Sequence, residues 1–243
     1  MFKYHSIYLT DIVDFLNNFF NVEQFTTSER GGIYLPSSNP VKRLGLALEA
    51  ETRLYEWVSD KHLDALFLHR PWNLELQKLP PELGIISYHL PFDECLTIGF
   101  NPRLAQILQM SNLQVLGEKE NRAIGMIGNI HTQSFAQLCS YITQIFGKTE
   151  QILPAVNSNI KRIAVVGAMT DLLIREAAKL GVDVYITGQF RQPAKAAIQE
   201  TQIGVITVGH RRSELWGLRS LLEVLQERWS SLEVFIYDDS KSA

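Results

Sequence analysis

The stretch Gly204-Val-Ile-Thr-Val-Gly-His210-Arg-Arg-Ser-Glu214 decides the fold, because an apolar run typical of a buried strand passes directly into the start of a helical pattern. The pattern predicts a strand over 203–208 and a helix over 212–228. The same alternation precedes it, in strand 161–166, helix 169–180, strand 183–187 and helix 193–201. Strands that alternate with helices predict parallel β-α-β units, so the predicted fold class is α/β.

The first half of the chain carries the same alternation. The expected elements are helix 9–20 with Thr10 as its N-cap, a polar loop over 21–42 with an edge strand at 31–35, strands 43–48, 64–68, 84–88 and 123–128, helices 51–61, 102–110 and 132–146, and a last strand at 232–237. The charged stretch Gly117-Glu-Lys-Glu-Asn-Arg122 is the best candidate boundary. We therefore expect two α/β sub-domains, 1–118 and 119–243, with a C-terminal segment that can return to the first. No short repeat is visible.

Composition narrows the class of protein. The 243 residues are 46% hydrophobic and 20% charged, as in ordinary soluble proteins, and the net charge of -3 gives no basic field for nucleic acid or an anionic membrane. Cys95 and Cys139 lack the spacing of a thiolate zinc site. No signal-peptide layout and no apolar run of roughly 20 residues is found, so the expected location is cytoplasmic.

Three apolar runs end on a histidine: His69, His89 and His210. Two of these histidines have a carboxylate four positions later, Asp93 and Glu214. Ligands bind outside the carboxyl ends of strands in open α/β sheets, and histidine with carboxylate is a donor set for Zn²⁺, Mn²⁺ or Fe²⁺. The pattern therefore predicts a metal site.

Each of these residues also has a plainer interpretation. His210 can be a loop histidine beside a first-turn acid that the helix macrodipole favours, and His69 can be a turn residue. Asp93 can cap a helix or turn. Their shared position at strand ends favours the metal site. The four tryptophans are expected as core or interface anchors rather than as a base-stacking platform: Trp57, Trp72, Trp216 and Trp229.

Five segments, in order along the chain, resemble motifs of one family. They are Glu29-Arg-Gly-Gly-Ile33 (for Asp-Asn-x-Gly-Leu), Leu68-His-Arg-Pro71 (for Thr-His-His-Pro), His89-Leu-Pro-Phe-Asp93 (for His-Thr-Asn-Leu-Asp), Tyr185-Ile-Thr-Gly-Gln189 (for Tyr-Ile-Thr-Gly-acidic) and Gly209-His-Arg-Arg-Ser-Glu214 (for Gly-His-x-x-[Ser/Thr]-Glu). The chain thus resembles the Nif-three-like dinuclear-metal-centre family, whose members are often called GTP cyclohydrolase I type 2 homologues. The resemblance covers nearly the whole length.

The resemblance implies a Nif-three-like fold, a ring-shaped homohexamer and two divalent metals per chain. Carried over, four of the five ligand places are filled by His69, Asp93, His210 and Glu214. His89 belongs to the segment that delivers Asp93, and its implied role is support for the ligands or general base.

The fifth ligand place holds Arg70, and this departure changes the predicted chemistry. A guanidinium has no free lone pair near neutral pH and carries a permanent positive charge, so it cannot ligate a cation. Gln189 and Gln192-Pro193 depart from the family pattern in the same direction. We therefore expect a degraded centre with one metal or none, in which Arg70 replaces a cation and pairs with Asp93 or Glu214.

Three functions remain open from the sequence. The first is a metal-dependent hydrolase or cyclohydrolase-like enzyme, in which the metal generates a nucleophilic water and the small-molecule substrate is unspecified. The second is a non-catalytic oligomeric scaffold or binding protein. The third is an anionic nucleotide-binding protein that uses Arg70 together with Arg191, Arg211 and Arg212.

Overall fold

The computed structural model describes residues 6–239, which form helices and strands in alternation. The helices are α1 (Leu9–Phe19), α2 (Leu54–Asp60), α3 (Leu90–Leu96), α4 (Pro102–Ile107), α5 (Phe135–Phe146), α6 (Asp171–Lys179), α7 (Lys195–Thr201) and α8 (His210–Arg228). The strands are β1 (Gly32–Leu35), β2 (Arg43–Glu49), β3 (Ala65–Arg70), β4 (Gly84–Ser87), β5 (Ser111–Val115), β6 (Glu118–Lys119), β7 (Arg122–Ala123), β8 (Gly125–Ser134), β9 (Gln151–Leu153), β10 (Asn159–Val166), β11 (Val184–Thr187), β12 (Gly204–Thr207) and β13 (Glu233–Ile236). Among residues 6–239, none of the helices combines the length and apolar character that crossing a bilayer requires.

Contacts divide the chain into two compact units. The first comprises the described residues up to Phe92 together with those from Leu218 onward, and the second is Asp93–Gly217. This division differs from the single boundary at 118/119 that the sequence predicts. The charged stretch around that position forms the hairpin β6–β7 within the second unit, and its two turn residues, Glu120 and Asn121, both have positive φ, as a tight hairpin turn requires.

The first unit is built on a five-stranded sheet with the order β1-β4-β3-β2-β13. Strands β4, β3, β2 and β13 pair in parallel, and β1 closes one edge in the antiparallel sense. Every residue of β3 is buried, which is the expected pattern for a central parallel strand covered on both faces. The carboxyl ends of β3 and β4 consequently lie side by side.

The second unit is built on a six-stranded sheet with the order β5-β8-β10-β11-β12-β9. Its three central strands, β10, β11 and β12, are parallel, whereas β5, β8 and β9 run antiparallel to their neighbours. One apolar core includes Leu138 and Ile142 of α5, and a second includes Ile174 of α6 and Ile198 of α7. The predicted α/β fold class is confirmed.

The N-cap residue of helix α1 is not Thr10, contrary to the sequence prediction. The N-cap position is Tyr8, and Thr10 lies inside the first turn. The Oδ2 of Asp11 accepts a hydrogen bond from the backbone N–H of Tyr8 at 2.7 Å, so an acid of the first turn stabilises this end of the helix. The prediction of Thr10 as N-cap is therefore wrong.

The two units use the same contact to join neighbouring parallel strands. In the first, the Oδ2 of Asp64 accepts hydrogen bonds from both backbone amides of Lys42-Arg43, at 2.8 and 2.9 Å. In the second, the Oδ2 of Asp183 accepts from both amides of Lys161-Arg162, at 2.8 and 3.0 Å. The aspartate follows the Lys-Arg pair by 22 and 21 residues in each case. The units therefore share a structural repeat, although the sequence shows no short repeat.

Candidate metal centre

His69 lies inside a strand and not in a turn after it. The sequence predicts a strand that ends at 68, but β3 continues to Arg70 because Arg70 and Glu49 of β2 are register partners. Pro71, which has no N–H to donate, follows directly and ends the pairing. The His69 side chain is thereby held at 0% exposure, next to the end of the sheet.

One hydrogen bond fixes which nitrogen of His69 can bind a metal. Its Nδ1 lies 3.1 Å from the backbone carbonyl oxygen of Tyr88, at the end of β4. A carbonyl oxygen can only accept, so in the neutral ring Nδ1 carries the proton and Nε2 carries the lone pair. A backbone carbonyl that orients a histidine in this way is the usual support for a metal ligand.

Helix α3 brings Asp93 to the same place. His89 directly precedes the helix, Pro91 occupies its first turn, where proline is favoured, and Asp93 follows His89 by four positions. The sequence did not predict this short helix. The rings of His69 and His89 are 4.8 Å apart between centroids. Their ligand atoms and one carboxylate oxygen of Asp93 all lie within 4.8 Å of one another.

The triad is a possible site for a divalent ion. Imidazole nitrogens and carboxylate oxygens bind Zn²⁺ at about 2.0–2.2 Å, so two ligand atoms of a tetrahedral ion lie about 3.5 Å apart. The three candidate atoms lie within 4.8 Å of one another, so they would have to move closer together to bind one ion in this way. His69 is buried, Asp93 is half-buried and His89 is exposed, so the triad opens to solvent on the side of His89. The predicted ligands His69 and Asp93 meet here, with His89 as a third donor.

The predicted ligands His210 and Glu214 form a pair of their own in the second unit. Helix α8 begins at His210, two residues earlier than predicted, so Glu214 follows His210 by one helical turn. The Nε2 of His210 is 3.0 Å from the Oε1 of Glu214, and the two side chains are 62% and 1% exposed. The i,i+4 spacing therefore does bring them together. Their part in metal binding stays a prediction.

Arg70 has a carboxylate partner that the sequence did not reveal. Its Nε and Nη2 both lie 2.7 Å from the Oε1 of Glu49, and its guanidinium carbon is 5.7 Å from the centroid of the Trp72 ring. Arg70 is 8% exposed. The expected pairing of Arg70 with Asp93 or Glu214 stays a prediction. The only signal for Glu49 in the sequence is its position at the end of the neighbouring strand.

An ion pair between Arg122 and Glu94 anchors helix α3, and the sequence did not predict it. The Nε and Nη2 of Arg122, from β7, donate to the two carboxylate oxygens of Glu94 at 2.8 and 3.2 Å, and Nη1 donates to Glu120 at 2.9 Å. These hydrogen bonds, that of Glu94 foremost, raise the pKa of Arg122. Since Glu94 follows Asp93 directly, this pair holds the segment that delivers a metal-ligand candidate.

The two cysteines, Cys95 and Cys139, are not among the three candidate ligands. Neither Cys95 nor Cys139 is in a disulfide. Burial, and to a smaller extent the neighbouring Glu94, raise the pKa of the Cys95 thiol, which lies on α3, to about 12. Burial also raises the pKa of Cys139. Without a bound metal, both side chains are therefore thiols at neutral pH.

Fold and site together define the class of protein: an α/β protein with a candidate divalent-metal centre at the carboxyl ends of parallel strands. The model of the Duf34/NIF3 (NGG1p interacting factor 3) family matches residues 7–242. The chain therefore belongs to the Duf34/NIF3 family, and the resemblance found in its motifs is confirmed.

Curated relatives and solved structures agree with this membership. A protein of Pyrococcus horikoshii is 28% identical over 93% of this chain and 96% of its own length, and one of Archaeoglobus fulgidus is 24% identical over 94% and 97%. Both are named GTP cyclohydrolase 1 type 2 homolog. The solved structure of protein ybgI, of unknown function, has a TM-score of 0.76 at 20% identity and covers 96% of this chain and 98% of its own. Reduced HcgD from Methanocaldococcus jannaschii has a TM-score of 0.71 at 20% identity and covers 96% of this chain and 99% of its own. At these identities the structures show the shared fold.

Proposed function

We propose that this protein is a metal-dependent hydrolase that holds one divalent ion per chain through His69, His89 and Asp93. The observation that carries the proposal is the approach of three donor atoms to within 4.8 Å at the carboxyl ends of two parallel strands. The bond from His69 Nδ1 to the Tyr88 carbonyl supports it, because it presents the Nε2 lone pair as a ligand.

A bound ion would supply a water of lowered pKa, and thus a nucleophile at neutral pH. The residues of this chain do the positioning. His69 and Asp93 would hold the ion from the buried side, while the exposed His89 lies where a substrate would enter. His210 and Glu214 remain the predicted further ligands. The name of the two relatives, GTP cyclohydrolase 1 type 2 homolog, supports hydrolytic chemistry for this chain.

One observation favours a non-catalytic binding or scaffold protein as the second candidate. Arg70 lies where the family pattern has a ligand, and its contact with Glu49 at 2.7 Å supports an ion pair in place of a second metal. An anionic nucleotide site that relies on arginines is less well supported, because Arg70 and Arg212 each already contact a carboxylate, Glu49 and Glu150. The homohexamer and the cytoplasmic location stay predictions from the resemblance and the composition.

Metal content measured by mass spectrometry tests the proposal. Purified protein, loaded with Mn²⁺ or Zn²⁺ and then desalted, should retain one ion per chain. His69→Ala and Asp93→Ala should each lose it, whereas His131→Ala, which removes an exposed histidine of β8, should keep it. Retention of two ions, or equal retention by all variants, would contradict the proposed mononuclear triad. Hydrolysis of GTP by the loaded protein, lost in Asp93→Ala, then separates an enzyme from a scaffold.

A further inference from the structure

Trp72 is displayed to solvent directly beside the candidate metal centre. The sequence predicts a core or interface anchor at this position, but the side chain is 61% exposed. Indole is one of the largest apolar groups that a protein can bury. Because most of its surface is exposed here, the protein does not gain the free energy that burial of the ring would provide. A ligand that covers the ring would bury this apolar surface and be stabilised by that burial.

Two contacts hold the indole in a defined orientation. The guanidinium carbon of Arg70 lies over the ring at 5.7 Å from its centroid, within the range of a cation–π interaction. The imidazole of His89 meets the ring edge-on, with 5.5 Å between centroids and an interplanar angle of 71°. Arg70 is itself fixed by Glu49, and Pro71 restricts the backbone just before Trp72. The indole ring is therefore held in one orientation at the protein surface.

The neighbours of Trp72 define what it can bind. Arg70 occupies one side of the ring, so a ligand stacks on the side that faces solvent. The Arg70 charge is matched by Glu49, which removes much of its attraction for a free anion. What remains available is a flat apolar surface, whose natural complement is another flat unsaturated ring. A ring stacked there lies next to His89, the exposed member of the triad.

We infer that Trp72 is the stacking platform for a planar heteroaromatic ring of the substrate, of the size and kind of a nucleobase. The inference rests on the proposed function and names its substrate class. Stacking of a base on an aromatic side chain tolerates many ring types, because every base has a π face. Trp72 is thus a binding residue that sets the class of ring, while the triad determines where the attached bond is cleaved.

Two probes that differ only by the base isolate this contribution. Guanosine monophosphate and ribose 5-phosphate are each titrated, with and without Mn²⁺, into the wild type, Trp72→Ala and Trp72→Phe, and binding is measured by equilibrium dialysis. We expect guanosine monophosphate to bind at least about tenfold more weakly to Trp72→Ala, and Trp72→Phe to keep most of the affinity. Ribose 5-phosphate should show no difference between the variants. Trp229→Phe, which keeps an aromatic ring against Phe15, is the control and should match the wild type.

The outcomes separate this inference from the metal proposal. Equal affinity of the wild type and Trp72→Ala for guanosine monophosphate, or no binding with and without Mn²⁺, overturns the platform. So does an equal loss for both probes. Metal content of Trp72→Ala should equal that of the wild type; loss of the ion would make Trp72 a support of the triad instead. A change in the particle mass of Trp72→Ala in light scattering would make it an interface anchor and likewise overturn the inference.

Discussion

Glu49 and Arg70 are register partners on neighbouring parallel strands, and one carboxylate oxygen of Glu49 lies 2.7 Å from two nitrogens of Arg70. This pair explains how a permanent cation is tolerated at 8% exposure, one residue from the metal-ligand candidate His69. The guanidinium cannot ligate, but Glu49 neutralises it. An ion pair therefore lies where the sequence resemblance implies a metal ligand, and this supports the proposed single metal.

Glu49→Gln should destabilise the protein by about 1–3 kcal/mol, because it removes the carboxylate charge that lies 2.7 Å from two nitrogens of the buried Arg70 guanidinium. The loss of this negative charge should also weaken binding of a divalent ion at the adjacent triad. Urea denaturation and titration with Mn²⁺ measure the two effects. Glu56→Gln, at an exposed position of α2, is the matched control. If both variants behave like the wild type, Glu49 does not neutralise Arg70.

Arg70→His should raise the metal content towards two ions per chain. The substitution removes the fixed positive charge and supplies an imidazole at the position where the family pattern has a ligand. Arg70→Gln removes the charge but offers only a weak oxygen donor, so its metal content should stay near that of the wild type. Mass spectrometry of the loaded proteins compares them. An unchanged metal content in Arg70→His would mean that the other predicted ligands, His210 and Glu214, do not form a second metal position.

Arg122→Ala should cost about 2–4 kcal/mol of stability, since it removes the two-point partner of the Glu94 carboxylate, whose side chain is only 13% exposed. Because Glu94 adjoins Asp93, the variant should also bind Mn²⁺ more weakly. Denaturation and metal titration of the still-folded protein give the two values. Arg175→Ala breaks ion pairs on an exposed helix face, and we expect little change from it. Unaltered metal affinity in Arg122→Ala would show that this pair does not position Asp93.

The sequence predicts the central strands well because each is an apolar run of strand length between polar turns. It misses β5 because all five residues of that edge strand are exposed and so carry no apolar pattern. It also misses α3, which is only seven residues long and begins within the motif around Pro91. Short or exposed elements are specified by contacts with distant parts of the chain, and a local pattern does not record those contacts.

The sequence likewise predicts some residues of the candidate site and misses others. The sequence picks out His69 and His89 because each ends an apolar run typical of a strand, and Asp93 because it is a carboxylate four positions after His89. It does not pick out Glu49 or Arg122, because their roles depend on strand register and on a hairpin 28 residues beyond Glu94. Metal-ligand candidates can thus be read from motifs, whereas the residues that neutralise and position them require the pairing of strands.

Asp64→Asn and Asp183→Asn should destabilise the protein by similar amounts, about 1–3 kcal/mol each. In each unit the carboxylate accepts two backbone hydrogen bonds at one oxygen, and an amide accepts more weakly than a charged carboxylate. Urea denaturation of both single variants is the measurement. Asp60→Asn, at the exposed end of α2, serves as the control. A loss confined to one of the two variants would contradict an equivalent role for the repeated contact.

Stability should fall as pH rises above about 10, owing to buried tyrosines. Burial raises the pKa of Tyr88 and Tyr185 well above the ordinary value, and nearby carboxylates, Asp14 and Glu176, raise them further. In the unfolded chain these phenols ionise near pH 10, whereas in the folded protein they stay protonated. The stabilising contribution is therefore complete below about pH 10 and declines as the pH rises towards the folded-state pKa.

Tyr185→Phe tests this reasoning through the slope of stability against pH. The hydroxyl of Tyr185 donates a hydrogen bond to the carbonyl of Ala168 at 2.6 Å, so the variant should start about 1 kcal/mol less stable at pH 8. Between pH 10 and 11 it should then lose less stability than the wild type, because one phenol that ionises only on unfolding has been removed. Urea denaturation at pH 8, 9, 10 and 11 gives both slopes. Tyr34→Phe, at an exposed position of β1, should keep the wild-type slope. Equal slopes for Tyr185→Phe and the wild type would show that Tyr185 contributes nothing to the alkaline loss.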